Sequence, residues 1–359
     1  MARALIIGAG AIGRGYLPWE LKNFEIDFYD QNIDLIESLI SNNGYRSFMS
    51  FGDKLQELHI SDASFFSNIN NINLNSYQIA FICIGPRNLT HLDKRFGELN
   101  CPLFSLENDY KTVDFLKYHL AKEDISFGVP DVITSLTASP ENLKIDCNAL
   151  HTENGLLHLE KNFNVNHELM DLLPKINWVD REMMIKEWDA KLYIHNTPHC
   201  IAAFYGHLHG CNYVHEALAI DEVYMELSGV IDEVLQTLKI KTNHDHKFLE
   251  WYAEKEIARF SNKLLFDPIR RVGREPLRKL APEGRLLGIM TMALEAGIFP
   301  LYLARGVAAA LKFDLAEDPD SFIISNIDEM GVNSFLEYMI SLDSNSIQAK
   351  LIKSAYENL

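Results

Sequence analysis

The chain has 359 residues, of which 47% are hydrophobic and 23% charged, the composition of an ordinary globular protein. Acidic residues outnumber basic ones by 50 to 33, for a formal net charge of -17, which argues against nucleic-acid or anionic-membrane binding because phosphate contacts need a basic face. The five cysteines form no C-x-x-C pair, and no apolar run of about 18 residues occurs, so we expect a cytoplasmic protein with reduced thiols and no membrane span.

The first part of the chain alternates short apolar runs with helical stretches. Strands are predicted at residues 4–7, 24–29, 79–84 and 103–106, and helices at 12–21 and 33–39. This alternation predicts βαβ units and a parallel sheet covered by helices. Residues 143–163 read as two further strands around Asn154-Gly155, which predicts an antiparallel hairpin added to that sheet.

Beyond about residue 188 the pattern becomes helical. Residues 220–238 place apolar side chains at three- and four-residue steps, as in an amphipathic helix. Further helices are predicted at residues 248–260, 286–296, 301–313 and from 334 to the end. No internal repeat is apparent.

A glycine-rich loop follows the first predicted strand. Residues 8–15 read Gly-Ala-Gly-Ala-Ile-Gly-Arg-Gly, so Gly8, Gly10 and Gly13 form G-x-G-x-x-G at the start of a predicted helix. The first glycine permits the tight turn, the second lets the backbone approach a pyrophosphate, and the third allows close helix packing. Ala11 and Ile12, at the helix N-terminus, add N–H groups that favour phosphate. The alternative is a purely structural glycine turn.

Asp30 ends the second predicted strand, 17 positions after Gly13. A carboxylate at this place accepts a ribose 2′-hydroxyl and repels a 2′-phosphate, which predicts NAD rather than NADP. The order of strand, glycines, helix and acid predicts the fold class as α/β. We expect a Rossmann-type doubly wound sheet over residues 1–187 and an all-helical substrate domain over 188–359, with the active site in the cleft between them.

A cluster of three polar residues opens the helical part. Asn196 is predicted to cap a helix with Pro198 in its first turn, and His199 lies one turn further on. Lys191 lies just upstream. An amine, a carboxamide and an imidazole suit alcohol–ketone interconversion, with Lys191 as general acid/base, Asn196 donating to the developing alkoxide and His199 orienting the hydroxyl. On spacing alone, a capped helix with a surface lysine remains an alternative.

A basic segment lies between residues 268 and 280, where five basic residues accompany one acid. Arginine guanidinium groups suit bidentate phosphate contacts, so an anionic sugar phosphate is a natural substrate. The alternative is a solvated helix face or internal salt bridges. The candidate substrate-binding residues are Arg271, Arg274, Arg278 and Lys279.

No metal site is predicted. The pairs His207/His209 and His244/His246 lack cysteine or carboxylate partners at metal-ligand spacing. The sequence has no G-x-S-x-G and no cysteine in a recognisable nucleophile motif. We therefore expect chemistry without a metal ion or a serine or cysteine nucleophile.

The sequence resembles the polyol-specific long-chain dehydrogenases over essentially its whole length. The resemblance rests on the glycine loop, on Lys191…Asn196…His199 in a K-x4-N-x2-H pattern, and on the segments Ile84-Gly85-Pro86, Leu106-Glu107-Asn108 and 270–280. It implies a zinc-independent oxidoreductase with Lys191 as acid/base, Asn196 and Asn108 as oxyanion donors, His199 as a positioning group, and Gly85 and Pro86 in the cofactor turn.

The family resemblance also implies a reaction. We expect NAD-dependent interconversion of a sugar alcohol phosphate and a ketose phosphate, D-mannitol 1-phosphate and D-fructose 6-phosphate, by a monomer or small homo-oligomer. One alternative is a dehydrogenase for a non-phosphorylated polyol or an aldonate. Another is a non-catalytic NAD-binding sensor. The expected partner is thus a small molecule, without nucleic acid or membrane.

Overall fold

The computed structural model describes residues 2–162 and 164–359. Two compact units are present. The first comprises residues up to Trp188 together with Leu264–Phe266, and the second comprises Asp189–Lys263 and Asp267–Leu359. The predicted α/β class is confirmed, since the first unit is built on a mainly parallel sheet and the second is helical. Within the described part of the chain, no helix has the length and apolar character needed to cross a bilayer.

Eleven strands are described in the first unit. They are β1 Ala2–Ile7, β2 Phe24–Tyr29, β3 Tyr45–Phe51, β4 Lys54–Ile60, β5 Ser64–Phe66, β6 Ile79–Ile82, β7 Leu103–Ser105, β8 Ile125–Asp131, β9 Leu150–Glu153, β10 Leu156–Glu160 and β11 Asn177–Val179. Eight form one sheet in the order β11-β10-β8-β7-β6-β1-β2-β5, parallel except where β10 meets β8. The strand order reverses between β1 and β6. In doubly wound sheets, such a switch point opens a ligand crevice at the carboxyl ends of the strands.

The main sheet is covered on both faces. Along β1, Ala4 and Ile6 belong to one hydrophobic cluster, and Leu5 and Ile7 belong to another. Successive residues of a strand point to opposite faces, so both faces of β1 are buried. This explains why the strands near the switch point read as continuous apolar runs.

The hairpin predicted around Asn154-Gly155 is wrong, but the predicted antiparallel addition to the main sheet is confirmed by β10. β9 and β10 flank this turn, but β9 pairs in parallel with β3 in a separate sheet of order β4-β3-β9, whereas β10 joins the main sheet beside β8. A Cβ on Gly155 would collide with the Asp131 carbonyl oxygen. The glycine thus lets the chain pass closely from one sheet to the other. Phe163, the end of the predicted segment, lies outside the described residues.

The helices begin in the first unit and dominate the second. The α-helices are α1 Leu17–Glu20, α2 Ile33–Ser41, α3 Thr112–Leu120, α4 Pro140–Ile145, α5 His167–Leu172, α6 Arg181–Ala190, α7 Thr197–Leu208, α8 Val214–Ala217, α9 Asp221–Lys241, α10 His246–Phe260, α11 Ile269–Gly273, α12 Pro276–Lys279, α13 Leu287–Glu295, α14 Leu301–Ala310, α15 Ser321–Ile324, α16 Ile327–Met330, α17 Val332–Met339 and α18 Ile347–Asn358. Two π-helical turns, Ala11–Tyr16 and Lys191–Asn196, precede α1 and α7.

Helix α7 forms the centre of the second unit. All of its residues from Thr197 to Gly206 are buried. A Cβ on Gly306 of α14 would lie 2.5 Å from Ile201 Cδ1, so this glycine allows α14 to pack directly on α7. Helix α7, which contains His199 and follows Lys191 and Asn196, is therefore held in place by packing along its length.

The single helix predicted from residue 334 to the end is wrong, because two helices occupy that part. Ser341, after α17, has a φ of +58°, a left-handed conformation that ends a helix. The Ser346 side chain then accepts the Ala349 N–H at 3.1 Å and caps α18.

Candidate active site

The glycine-rich turn directly follows β1. Gly8 has a φ of +108° and donates its N–H to the Tyr29 carbonyl oxygen at 2.8 Å, a conformation that favours glycine. A Cβ on Gly13 would collide with the Gly8 carbonyl oxygen, whereas the nearest atom to a Cβ on Gly10 is the Cys83 carbonyl oxygen at 3.9 Å. Gly13 thus serves close packing, and Gly10 leaves the backbone open. The turn fits a dinucleotide pyrophosphate.

The segment after this turn does not begin as an α-helix, although one was predicted for residues 12–21. Ala11–Tyr16 form a π-helical turn before α1 begins. The Tyr45 hydroxyl donates to the Arg14 carbonyl oxygen at 2.9 Å, and the Ser47 hydroxyl donates to the Gly15 carbonyl oxygen at 2.7 Å. Side chains that enter the backbone hydrogen-bond ladder distort a helix in this way.

Asp30 lies at the carboxyl end of β2 and is joined to the glycine turn. Its Oδ2 accepts the Ala9 N–H at 2.7 Å, and its Oδ1 accepts the Asn32 N–H at 2.9 Å. Gly10, the N-cap residue, has no side chain that could cover the start of this helix. The carboxylate is thus fixed beside an open helix N-terminus, an arrangement that fits an adenosine ribose and disfavours a 2′-phosphate.

The sequence analysis missed Arg14, a buried cation within the glycine loop. Its Nε donates to the Ala9 carbonyl oxygen at 2.6 Å, and its Nη1 donates to the Asn148 carbonyl oxygen at 3.0 Å. The guanidinium lies 5.3 Å from the centre of the Tyr45 ring. Burial lowers the pKa of Arg14. The side chain braces the turn, and the only sequence signal was a basic residue between two loop glycines.

The turn after β6 is held by a second residue that the analysis had not assigned, Glu107. Glu107 Oε1 accepts the Ile84 N–H at 2.7 Å and the Gly85 N–H at 3.0 Å. Gly85 has a φ of +90° and precedes Pro86. Asn108, next to Glu107, is half-buried, and its role as an oxyanion donor stays a prediction.

The second unit presents the predicted catalytic residues on a π-helical turn. Lys191 and Asn196 are both buried, and they are the first and last residues of that turn. A π-helix bonds residue i to residue i+5, so Asn196 lies over Lys191. In an α-helix, a five-residue spacing would turn the two side chains away from each other. The wider turn therefore brings amine and carboxamide to one face.

The predicted N-cap at Asn196 is wrong. Asn196 has helical angles, φ -67° and ψ -30°, and makes no side-chain capping bond. The π-helical turn continues directly into α7, so no helix starts here and no N–H groups need a cap. Its carboxamide is consequently not used as a cap.

His199 is held on one edge by a carboxylate and on one face by an aromatic ring. Its Nε2 lies 3.1 Å from Asp267 Oδ2, and Asp267 Oδ1 accepts from Arg271 Nε at 2.8 Å. The Phe260 ring stacks on the imidazole at 4.9 Å between centroids. Burial raises the pKa of Asp267, but Arg271 and His199 outweigh this and hold it below its usual range. The imidazole therefore lies against a carboxylate at one edge and an aromatic ring on one face.

A parallel arrangement, which sequence reasoning missed, surrounds His195. His195 Nδ1 lies 2.6 Å from Glu256 Oε2, and Glu256 Oε1 accepts from Arg259 Nη1 at 2.6 Å. The His195 and His199 rings are 5.1 Å apart. Each histidine thus contacts a buried carboxylate, and each carboxylate in turn forms an ion pair with an arginine. The carboxylates lie about 60 residues further along the chain, and no sequence pattern pointed to them.

The basic segment is mostly engaged within the protein. Arg278 Nε donates to Glu275 Oε2 at 2.7 Å, and Lys279 donates to the Arg274 carbonyl oxygen. Arg271 forms an ion pair with Asp267. Lys279 is buried, and burial lowers its pKa to about 7. Arg271 and Arg278 are thus paired with carboxylates, and the contact of the basic segment with a substrate phosphate stays a prediction.

Three histidines of the two H-x-H pairs have partners within the protein. His207 Nε2 lies 2.8 Å from Asp314 Oδ1, and His244 Nε2 lies 3.3 Å from Asp189 Oδ2. His246 Nε2 lies 3.3 Å from the Lys239 carbonyl oxygen. The contacts of His244 and His246 thus go to different groups.

Comparisons with known proteins bear on these residues. Residues 185–358 match the family model of the mannitol dehydrogenase C-terminal domain. The chain is 26% identical to mannitol-1-phosphate 5-dehydrogenase of Caldanaerobacter subterraneus subsp. tengcongensis, across 100% of this chain and 99% of that protein. It is 28% identical to the protein of the same name from Thermoanaerobacter pseudethanolicus, across 100% and 98%.

Among solved structures, the fold is similar to that of Pseudomonas fluorescens mannitol 2-dehydrogenase in a ternary complex with NAD and D-mannitol. The TM-score is 0.78 at 15% sequence identity, over 100% of this chain and 92% of that chain. This likeness concerns the fold. The matched C-terminal domain contains Lys191, Asn196, His199 and the whole basic segment.

Proposed function

Because the chain belongs to the family of polyol-specific long-chain dehydrogenases, we propose that it interconverts D-mannitol 1-phosphate and D-fructose 6-phosphate. The enzyme is an NAD-dependent oxidoreductase that acts on a CH–OH group of a small polyol. The observation that carries the proposal is that Lys191 and Asn196 are both buried at the two ends of one π-helical turn. The names of the full-length relatives support a phosphorylated substrate.

The catalytic step needs a base for the hydroxyl proton and a donor for the oxygen that gains charge. When bound, NAD supplies the hydride acceptor. The neutral amine of Lys191 takes the hydroxyl proton as the carbinol carbon gives up its hydride. Asn196 donates a hydrogen bond to the oxygen as negative charge develops on it, and Asn108 is the second proposed donor. In the reverse direction, the Lys191 ammonium returns the proton to the ketone oxygen.

His199 is proposed as the residue that orients the substrate. Its contact with Asp267 and its stacking on Phe260 leave the ring little freedom. A fixed ring can hold the reacting hydroxyl at the distance that proton transfer to Lys191 requires. The reaction is tested directly by NADH oxidation with fructose 6-phosphate and, separately, with fructose.

Cofactor choice gives one test of the nucleotide half of this proposal. Replacing Asp30 by asparagine keeps an oxygen for the Ala9 N–H but removes the negative charge. We expect the Kd of NADPH relative to that of NADH to fall by about tenfold, equivalent to about 1.4 kcal/mol. Fluorescence titration with both cofactors measures it. Asp34→Asn, an exposed position in α2, is the matched control. An unchanged ratio in Asp30→Asn would remove Asp30 from the ribose site.

Arg278 tests whether the substrate is phosphorylated. A charge-assisted hydrogen bond to phosphate contributes about 1.5–3 kcal/mol, so Arg278→Ala should raise the KM for fructose 6-phosphate by about tenfold or more with a small change in kcat. Arg305→Ala is the control, because Arg305 is also half-exposed and paired to a glutamate, at 2.7 Å. Equal KM values for the two variants would contradict a phosphate site at Arg278.

A further inference from the structure

Glu107 combines deep burial with only partial use of its carboxylate. It follows β7 by two positions, and the residue is 4% exposed. Oε1 makes both hydrogen bonds to the turn after β6. Among residues 2–162 and 164–359, Oε2 makes none, and it is not one of the fully buried polar atoms without a partner. This oxygen therefore retains contact with solvent and remains available to a ligand.

The strand order shows which part of a dinucleotide would reach Glu107. The adenosine end is directed to Asp30 at β2, and the pyrophosphate to the glycine turn after β1. Since β6 lies on the other side of β1 and β7 lies beyond it, the remaining nucleoside must extend towards the ends of β6 and β7. Glu107 lies at the end of β7 and binds the turn that follows β6.

We propose that Glu107 is a cofactor-binding residue whose Oε1 fixes the Ile84–Gly85 turn and whose Oε2 accepts a hydrogen bond from the nicotinamide-side ribose. The inference rests on the proposed NAD-dependent function and adds a preference to it. An ionised carboxylate near the nicotinamide nucleoside favours the cationic oxidised ring over the neutral reduced ring. Glu107 thus helps to set the relative affinities for NAD+ and NADH.

The surroundings of Glu107 make this preference dependent on pH. Burial raises the pKa of Glu107 to about 7, against the two backbone N–H groups that lower it. The ionisable side chain beside it is Cys83, whose own pKa is raised by burial, so that it stays a neutral thiol. Glu107 therefore gains its charge as the pH rises through about 7. Affinity for NAD+ should rise over the same range, and affinity for NADH should change less.

The experiment measures binding alone, by calorimetric titration of the full chain with NAD+ and with NADH at about pH 6 and about pH 8. The wild-type Kd for NAD+ is expected to fall at least fivefold between the two values, and the Kd for NADH less than twofold. Glu107→Gln, which keeps an oxygen for the turn, should raise the Kd for NAD+ at the higher pH and abolish its pH dependence. Glu123→Gln is the matched control, an exposed glutamate before β8 in the same unit.

A role limited to holding the turn predicts a different result. Glu107→Gln would then lower Tm but leave the Kd values and their pH dependence at wild-type levels, and the proposal would be overturned. If the variant does not fold, the wild-type titration decides, because a constant Kd for NAD+ across the pH range overturns the proposal by itself. Absence of any NAD+ or NADH binding in the wild type would instead contradict the proposed function.

Discussion

Lys191→Ala is expected to lower kcat by about 10²- to 10⁴-fold, the range that general acid–base catalysis contributes. The variant loses the proposed acid–base amine, while the proposed nucleotide-binding residues Gly8, Gly10 and Asp30 are untouched. The Kd of NADH should therefore change less than twofold. Steady-state kinetics with the ketose phosphate, together with a fluorescence titration of NADH, separate the two effects.

The control for this variant is Lys186→Ala. Lys186 is half-buried at the surface and pairs with Glu182 at 3.0 Å, so its loss should leave kcat near the wild-type value. Exogenous methylamine should restore part of the activity of Lys191→Ala, because a small amine can take the vacated position. A normal kcat in Lys191→Ala, or a loss that no amine restores together with a lowered Tm, would contradict the acid–base role.

Asn196→Asp should lower kcat by about 10²- to 10³-fold, as the loss of one oxyanion donor does in other enzymes. The substitution keeps the size of the side chain but replaces an N–H donor with a carboxylate, which repels the charge that develops on the substrate oxygen. Because Asn196 is buried, the new carboxylate should also lower the Tm, so the oxyanion role is assessed from the kcat of the folded variant. The measurement is kcat with the same substrate, with thermal unfolding of the unligated variant beside it.

Asn243→Asp provides the matched comparison, since Asn243 is an exposed loop residue between α9 and α10 in the same unit. It should show wild-type kcat and Tm. If Asn196→Asp lost stability by several degrees and kept its kcat, the carboxamide would have a packing role and the oxyanion assignment would fail.

The parallel sheet could be predicted because its signals are local. β6 and residues 4–7 of β1 are continuous apolar runs, β2 is rich in apolar residues, and the glycines and Asp30 lie at fixed distances from them. The pairing of β9 with β3 could not be predicted, because Asn154-Gly155 reads as a hairpin turn and the partner strand lies about 100 residues earlier. A tight turn specifies a reversal in the chain but not the strand that pairs with it.

The candidate catalytic segment was proposed from the sequence, but its local geometry was not predicted. Lys191 and Asn196 were identified, yet the analysis assumed that a helix begins at Asn196. The five-residue spacing was itself the missing signal, since only a π-helical turn brings side chains at this spacing to one face. The supporting carboxylates, Glu256 and Asp267, meet the histidines only in the folded chain, so sequence spacing could not show them.

The measurement that tests the account most directly is the consumption of NADH, followed by its absorbance, with fructose 6-phosphate and with fructose in parallel. The account predicts rapid oxidation with the phosphate and little with fructose, and a loss of the phosphate-dependent rate in Lys191→Ala. Oxidation with fructose alone would contradict the phosphorylated substrate and assign the enzyme to free polyols. No NADH oxidation with either substrate, despite measurable NADH binding, would contradict the proposed reaction itself.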